Sequence, residues 1–250
     1  MNYDLVSIIT ESGYIIIPFT RLSAFFIAAP IFALSAFNLQ LKILFALVTT
    51  LLIWNPAMVP ATLELSSLVK ILLFEAGLGA GLGLSLQAVS AGVAVAGQAL
   101  SNSMGLGMAN LVDPTLGNSP ILAQFLVILS NFIFLTIDGH LLLIELLTTS
   151  FQSVPVGFSI ASFDFYGALL SVTGLIFVAG LAISLPLLLV ILVINIALGV
   201  TTRSAPSLNV ISIGFPFILI VGMLGLLLAL PTIVTTIEGV WQTVFEFMVL

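Results

Sequence analysis

The sequence predicts an all-α integral membrane protein of about six long, partly broken helices. Three observations lead there. The 250 residues are 61% hydrophobic and only 6% charged, with a mean hydropathy of +1.36. Soluble domains carry about 25% charged residues, and so few charges cannot cover a water-facing surface. Apolar runs cover roughly residues 5–37, 41–59, 68–100, 121–151, 165–199 and 210–247. Each can supply the roughly 20 apolar residues that a membrane helix needs. They are also far longer than the 9–11 residues of a membrane β-strand and lack its alternation.

The elements differ in how well they fit a bilayer. As single helices, the third, fifth and sixth runs overshoot a hydrocarbon core of about 30 Å, since each residue adds about 1.5 Å. Tilt, breaks or extension beyond the hydrocarbon must absorb the excess. Pro186, Pro216 and Pro231 are the expected kink sites, and Asp138-Gly139 marks an expected break in the fourth run. The whole chain, residues 1–250, reads as one domain.

Composition removes several function classes. Cysteine is absent, which excludes disulfides, thiolate chemistry and Cys-based metal sites. The net charge is −6 with no basic patch, so nucleic acid is not an expected partner. The first residues, MNYDLVSIITESGY, carry Asp4 and Glu11 rather than a positive n-region and do not read as a cleaved signal peptide. Lys42 and Arg203 would share one side of the membrane and Lys70 the other. The positive-inside rule then puts the N-terminus outside and the turn between the fifth and sixth runs in the cytoplasm. No G-x-S-x-G, P-loop or H-E-x-x-H signature occurs, so no enzyme and no cofactor are expected.

The third run, FEAGLGAGLGLSLQAVSAGVAVAGQAL, sets small residues four apart: Gly77, Gly81 and Ser85, then Gly79 and Gly83, then Ala88, Gly92 and Ala96. Such stripes let helix backbones approach closely, within the chain or against other subunits. Ionisable residues inside the apolar runs are Arg21, Glu75, Asp138, His140 and Glu145, and such groups ordinarily face protein or water. Asp138 and Glu145 share a helix face, whereas His140 points elsewhere. The spacing does not suit a metal, because helical ligand pairs want i, i+3 or i, i+4. A proton path remains open, as does plain capping or pairing with Arg21.

Between the third and fourth runs lies SNSMGLGMANLVDPTLGNSP. Gly105, Gly107, Pro114, Gly117 and Pro120 all oppose a continuous helix. Irregular backbone at membrane depth survives only when buried in protein or lining water. Outside the membrane the stretch would be an ordinary connector. Inside it, Met104 and Met108 suit a deformable plug, because methionine adapts to irregular surfaces.

Read together, these landmarks resemble the FliR family of flagellar export-apparatus proteins, which have counterparts in virulence type III secretion systems. The resemblance rests on Arg21, Ala29 and Pro30 in RLSAFFIAAPIF, Glu75 with Gly77, the glycine-rich helix, and Asp113-Pro114. It continues through Asp138-Gly139-His140, Ser150-Phe151 with Val154-Pro155, and a signature turn of Arg203, Ala205-Pro206, Leu208-Asn209 and Gly214-Phe215-Pro216. One departure is the link SAFNLQLK, whose single basic residue is Lys42 where the family usually has more. The resemblance implies a subunit of a hetero-oligomeric helical export gate in the bacterial inner membrane, at the flagellar basal body. FliP, FliQ and FlhB would be its partners and unfolded flagellar subunits the cargo. It implies a pore-closing loop at Met104, Gly105, Leu106, Gly107, Met108, Ala109 and Asn110, just before Asp113-Pro114. It also implies a FliQ-like hairpin over about residues 165–247, turning around Arg203, Pro206 and Asn209. The rival expectation is a proton-coupled secondary transporter working through Asp138, His140 and Glu145.

Overall fold

The computed structural model describes residues 5–30, 38–53, 65–106, 121–156, 165–204 and 214–249. Regular structure among them is helical: α1 (Leu5–Ala28), α2 (Leu39–Ile53), α3 (Leu65–Ser103), α4 (Ile121–Thr136), α5 (Gly139–Ser153), α6 (Phe165–Ser204) and α7 (Phe215–Val249). The chain is an all-α integral membrane protein. Among the described residues three helices are long and apolar enough to cross a membrane: Leu68–Ser103, Thr173–Thr201 and Phe215–Glu246. The bent pair Ile121–Thr136 and Gly139–Ser153 makes a fourth span if its halves count together, while Gly13–Ala28 and Leu39–Ile53 are shorter apolar helices.

The six expected runs therefore divide unevenly. The first run yields a helix that stops at Ala28, and the second yields one of only 15 residues, about 23 Å long. The long runs behave as their length requires. α3 has 39 residues and α6 has 40, so each is about 60 Å long. Pro186 and Pro231 lie inside α6 and α7. The expected kink at Pro216 is not one. Pro216 is the second residue of α7, where its missing N–H would have had no intrahelical partner in any case.

The break at Asp138-Gly139 is real. Asp138 adopts a left-handed backbone, φ 55° and ψ 30°, and its carbonyl accepts the N–H groups of Leu141 and Leu142 to start α5. At the head of α2, Asn38 caps in the ordinary way, its Oδ1 accepting the Leu41 N–H at 3.0 Å. Several hydroxyls within the apolar helices satisfy themselves on the preceding turn, as Thr50 does on Ala46 O at 2.6 Å and Ser184 on Gly180 O at 2.7 Å.

The chain forms two compact units. The first takes α1, α2, α3 as far as Ala88, α5, α6 as far as Thr173, and α7 from Val244. Its core holds Ile17, Leu22, Phe25, Leu86 and Leu147. α3 lies against α1 through Gly79 and Gly83: a Cβ at Gly79 would run into the Arg21 carbonyl, and one at Gly83 would sit 2.6 Å from Ala28 Cβ. Phe26 and Phe45 join α1 to α2, ring centroids 6.4 Å apart. The second unit takes the rest of α3, α4 and the larger parts of α6 and α7. There α3 meets α6 at Gly92, where a Cβ would lie 2.8 Å from Ala179 Cβ, and meets α4 at Gly97, where it would strike the Ala123 backbone. Trp241, fully buried, donates its indole N–H to Ser130 Oγ at 3.0 Å and lies against Phe134.

Candidate functional site

The polar residues that the sequence places inside apolar runs separate into two kinds. Arg21 and Glu75 are buried together in the first unit. Arg21 Nε donates to Glu75 Oε2 at 2.5 Å. Its Nη1 donates to Ser150 O at 2.8 Å and its Nη2 to Val154 O at 2.9 Å, while the guanidinium lies 4.2 Å from the centre of the Phe151 ring. A planar fork of donors serves this geometry, because one side chain then ties α1 to α3 and caps the carbonyl end of α5. The landmarks Arg21, Glu75, Ser150-Phe151 and Val154 thus converge on one clamp, although up to 133 positions separate them.

Asp138, His140 and Glu145 are exposed instead. The described residues form no cluster of three or more His, Cys, Asp or Glu side chains able to hold a metal. Arg21, which could have answered a carboxylate of α5, is engaged by Glu75. Asp138 works through its backbone, as the break before α5. Nothing here favours a proton-relay transporter over the export reading.

The small-residue stripes also divide by their surroundings. Ala88 and Ala96 are buried and Gly92 faces α6 at close range. Ser85 is buried and bonds Gly81 O at 2.9 Å. Among the described residues nothing lies within 4 Å of the position a Cβ on Gly77 would take, so they leave this notch on α3 open.

At the loop that follows α3, the structure describes the first residues only. Met104 N–H bonds Leu100 O at 3.0 Å and Gly105 N–H bonds Asn102 O at 3.1 Å. Gly105 has φ 75°, the left-handed residue that commonly closes a helix C-terminus. Met104 is completely buried in the second unit, against Gly222 of α7, and the Phe215 ring stands beside Gly105. Leu106 is half-buried. Gly107, Met108, Ala109, Asn110, Asp113 and Pro114 lie outside the described residues. So do Pro206 and Asn209 of the hairpin turn, whereas Arg203 is exposed in the last turn of α6, where a cation suits the helix dipole.

Sequence reasoning missed the partners of these groups. Gly222 stands in IVGMLGLLL with no mark to connect it to Met104, 118 positions earlier. Phe215 belonged to the Gly214-Phe215-Pro216 landmark, but its neighbour Gly105 did not show in the spacing.

The outer surface is strongly apolar. Leu52, Phe177, Val193, Ile220 and Leu228 are among many large side chains left exposed, Leu228 by 83%. Water does not favour so many exposed large apolar side chains, whereas lipid or neighbouring subunits accommodate them.

Comparison with known proteins agrees with these features. Residues 13–244 match the family described as bacterial export proteins, family 1. The flagellar biosynthetic protein FliR of Pectobacterium carotovorum is 36% identical over 250 residues, covering 99% of this chain and 94% of that protein. The protein of the same name from Escherichia coli is 37% identical over 172 residues, 68% of this chain and 66% of that one. That of Bacillus subtilis is 28% identical over 247 residues, 97% of this chain and 95% of that one.

Proposed function

The chain belongs to bacterial export proteins, family 1, and on that footing we propose that it is a non-enzymatic membrane subunit of a flagellar type III protein export gate. The observation that carries this reading is the match along residues 13–244, together with nearly full-length relatives named for flagellar biosynthesis. The architecture supports it. Three helices suited to a membrane, an apolar exterior and an open glycine notch are what a subunit packed among lipids and foreign helices requires.

In this reading the protein sits in the bacterial inner membrane at the flagellar basal body. FliP-, FliQ- and FlhB-type subunits surround it and unfolded flagellar proteins are the cargo. The segment that starts at Met104 closes the conduit at rest. Residues 104–110 combine methionine, which fills irregular gaps, with glycine, which frees the backbone. The hairpin of α6 and α7 packs as a FliQ hairpin would.

The test has two arms in a flagellated bacterium that depends on this chain. Removing the gene abolishes secretion of flagellar subunits, and the intact gene restores it. Deleting residues 107–110 raises ion leakage through membranes that contain the assembled complex, without loss of co-purifying partners. Unchanged leakage in that deletion refutes the sealing role. A chain that purifies alone, stable and active in moving a small solute, refutes the gate reading as a whole.

A further inference from the structure

The last turn of α3 is fixed on both of its exits. Its carbonyls are closed by Met104 and Gly105, and Ser103 Oγ adds a bond to Leu100 O at 2.9 Å. The Met104 side chain, fully buried, fills a notch in α7 that exists because residue 222 is glycine. A Cβ there would stand 2.9 Å from Met104 Cγ, 3.0 Å from Sδ and 3.1 Å from Cε. A Cβ on Gly105 would stand 3.0 Å from two carbons of the Phe215 ring. Phe215 and Gly222 are seven apart, two turns along one face of α7, so consecutive residues at the end of α3 dock on a single helix face. α7 is tied in turn to α6, where a Cβ at Gly225 would lie 2.8 Å from Leu187 Cδ1.

We propose that Met104 is a positioning residue: it anchors the root of the sealing segment on α7, and Gly105 is the point after which the backbone departs. The sealing surface therefore begins beyond Met104. This rests on the reading that the segment after α3 closes the conduit. The physical ground is the asymmetry between the two residues. Withdrawing Met104 opens a void beside bare helix backbone, which close-packed interiors resist. Gly105 already holds a φ of 75°, a region where glycine moves without steric cost.

The chain has no cysteine, so a Met104→Cys, Gly222→Cys double variant introduces the single possible disulfide within it. Met104→Cys also removes Sδ and Cε, two of the three atoms that a side chain at 222 would strike, and puts a sulfur at the γ position that the bond requires. Cells carrying the whole export apparatus are oxidised with copper–phenanthroline. Disulfide formation, export of flagellar subunits and resting ion leakage are then read together, beside the 107–110 deletion. The anchor predicts that the disulfide forms, that export continues with it closed, and that leakage stays at the level of the Met104→Cys single variant. Failure of the disulfide to form overturns the contact. Export that stops on oxidation and returns on reduction, in an assembled complex, shows that Met104 leaves Gly222 when the conduit opens, and overturns the anchor alone. A 107–110 deletion that leaves leakage unchanged overturns the sealing reading instead, and with it the positioning role.

Discussion

Arg21 and Glu75 stand 54 positions apart and meet through a single carboxylate oxygen, Oε2, with both side chains shut away from solvent. The other oxygen, Oε1, is buried with no hydrogen-bond partner among the described residues. The pair is thus held by the arginine's geometry rather than by saturation of the acid. Arg21→Ala is expected to cost about 3–5 kcal/mol, because it strands a buried carboxylate. Arg21→Lys should rescue little, since one ammonium cannot serve Glu75, Ser150 O and Val154 O together. The steady-state level in membranes and the melting of the detergent-purified complex measure both. A lysine variant as stable as the parent would show that the fork is dispensable.

Two glycines on one helix should respond in opposite ways. Gly79→Ala drives a methyl into the Arg21 backbone, which cannot rotate aside, and overpacking of this kind costs about 1–3 kcal/mol. Gly77→Ala meets nothing among the described residues and gains up to about 1 kcal/mol of helix propensity. The contrast is read first as membrane abundance without partners and then as recovery of the assembled complex. Loss of assembly in Gly77→Ala, with abundance kept, would identify this notch as a seat for a neighbouring subunit.

Among the described residues Trp241 is the largest fully buried side chain, and its indole N–H is held by Ser130. Trp241→Ala should destabilise by about 3–5 kcal/mol through the void it leaves. Ser130→Ala takes the acceptor from a buried indole N–H and should cost less, about 1–3 kcal/mol. Detergent melting curves rank the two, and the order is the prediction.

Asp138 tests the rival chemistry. Its value in the structure is a left-handed backbone, so Asp138→Gly and Asp138→Asn should preserve export. Asp138→Val, strained at that angle, should destabilise the α4–α5 break by about 1–3 kcal/mol. A proton relay instead predicts that all three variants are inactive alike, because each removes the carboxylate. Swarming on soft agar, followed by assay of secreted subunits, separates the two.

Much of this architecture was legible because it follows from local chemistry. Apolar length marks the long helices, and Asp-Gly marks the break before α5. What escaped depends on distance along the chain or on position within an element. Pro216 reads as a kink until α7 is seen to begin one residue earlier, which makes it a helix start. The stripes of α3 are visible as spacing, but only packing shows that Gly79 faces α1 while Gly77 faces none of the described residues. The landmarks Arg21, Glu75, Ser150 and Val154 stand in the sequence as four separate marks. No periodicity rule links residues 54 to 133 apart into a clamp. The seat of Met104 on Gly222 is hidden for the same reason.

The reach of Arg21 has a bearing on how the polypeptide is made. Its guanidinium emerges from the ribosome 129 residues before Ser150, the first of its two backbone acceptors. Glu75 is made 54 residues after it, but throughout the longer interval the guanidinium rides on a greasy helix with no carbonyl end to rest upon. Nascent chains that stall short of Val154 should therefore linger at the insertion machinery and be cleared by membrane proteases, whereas those that pass it should escape.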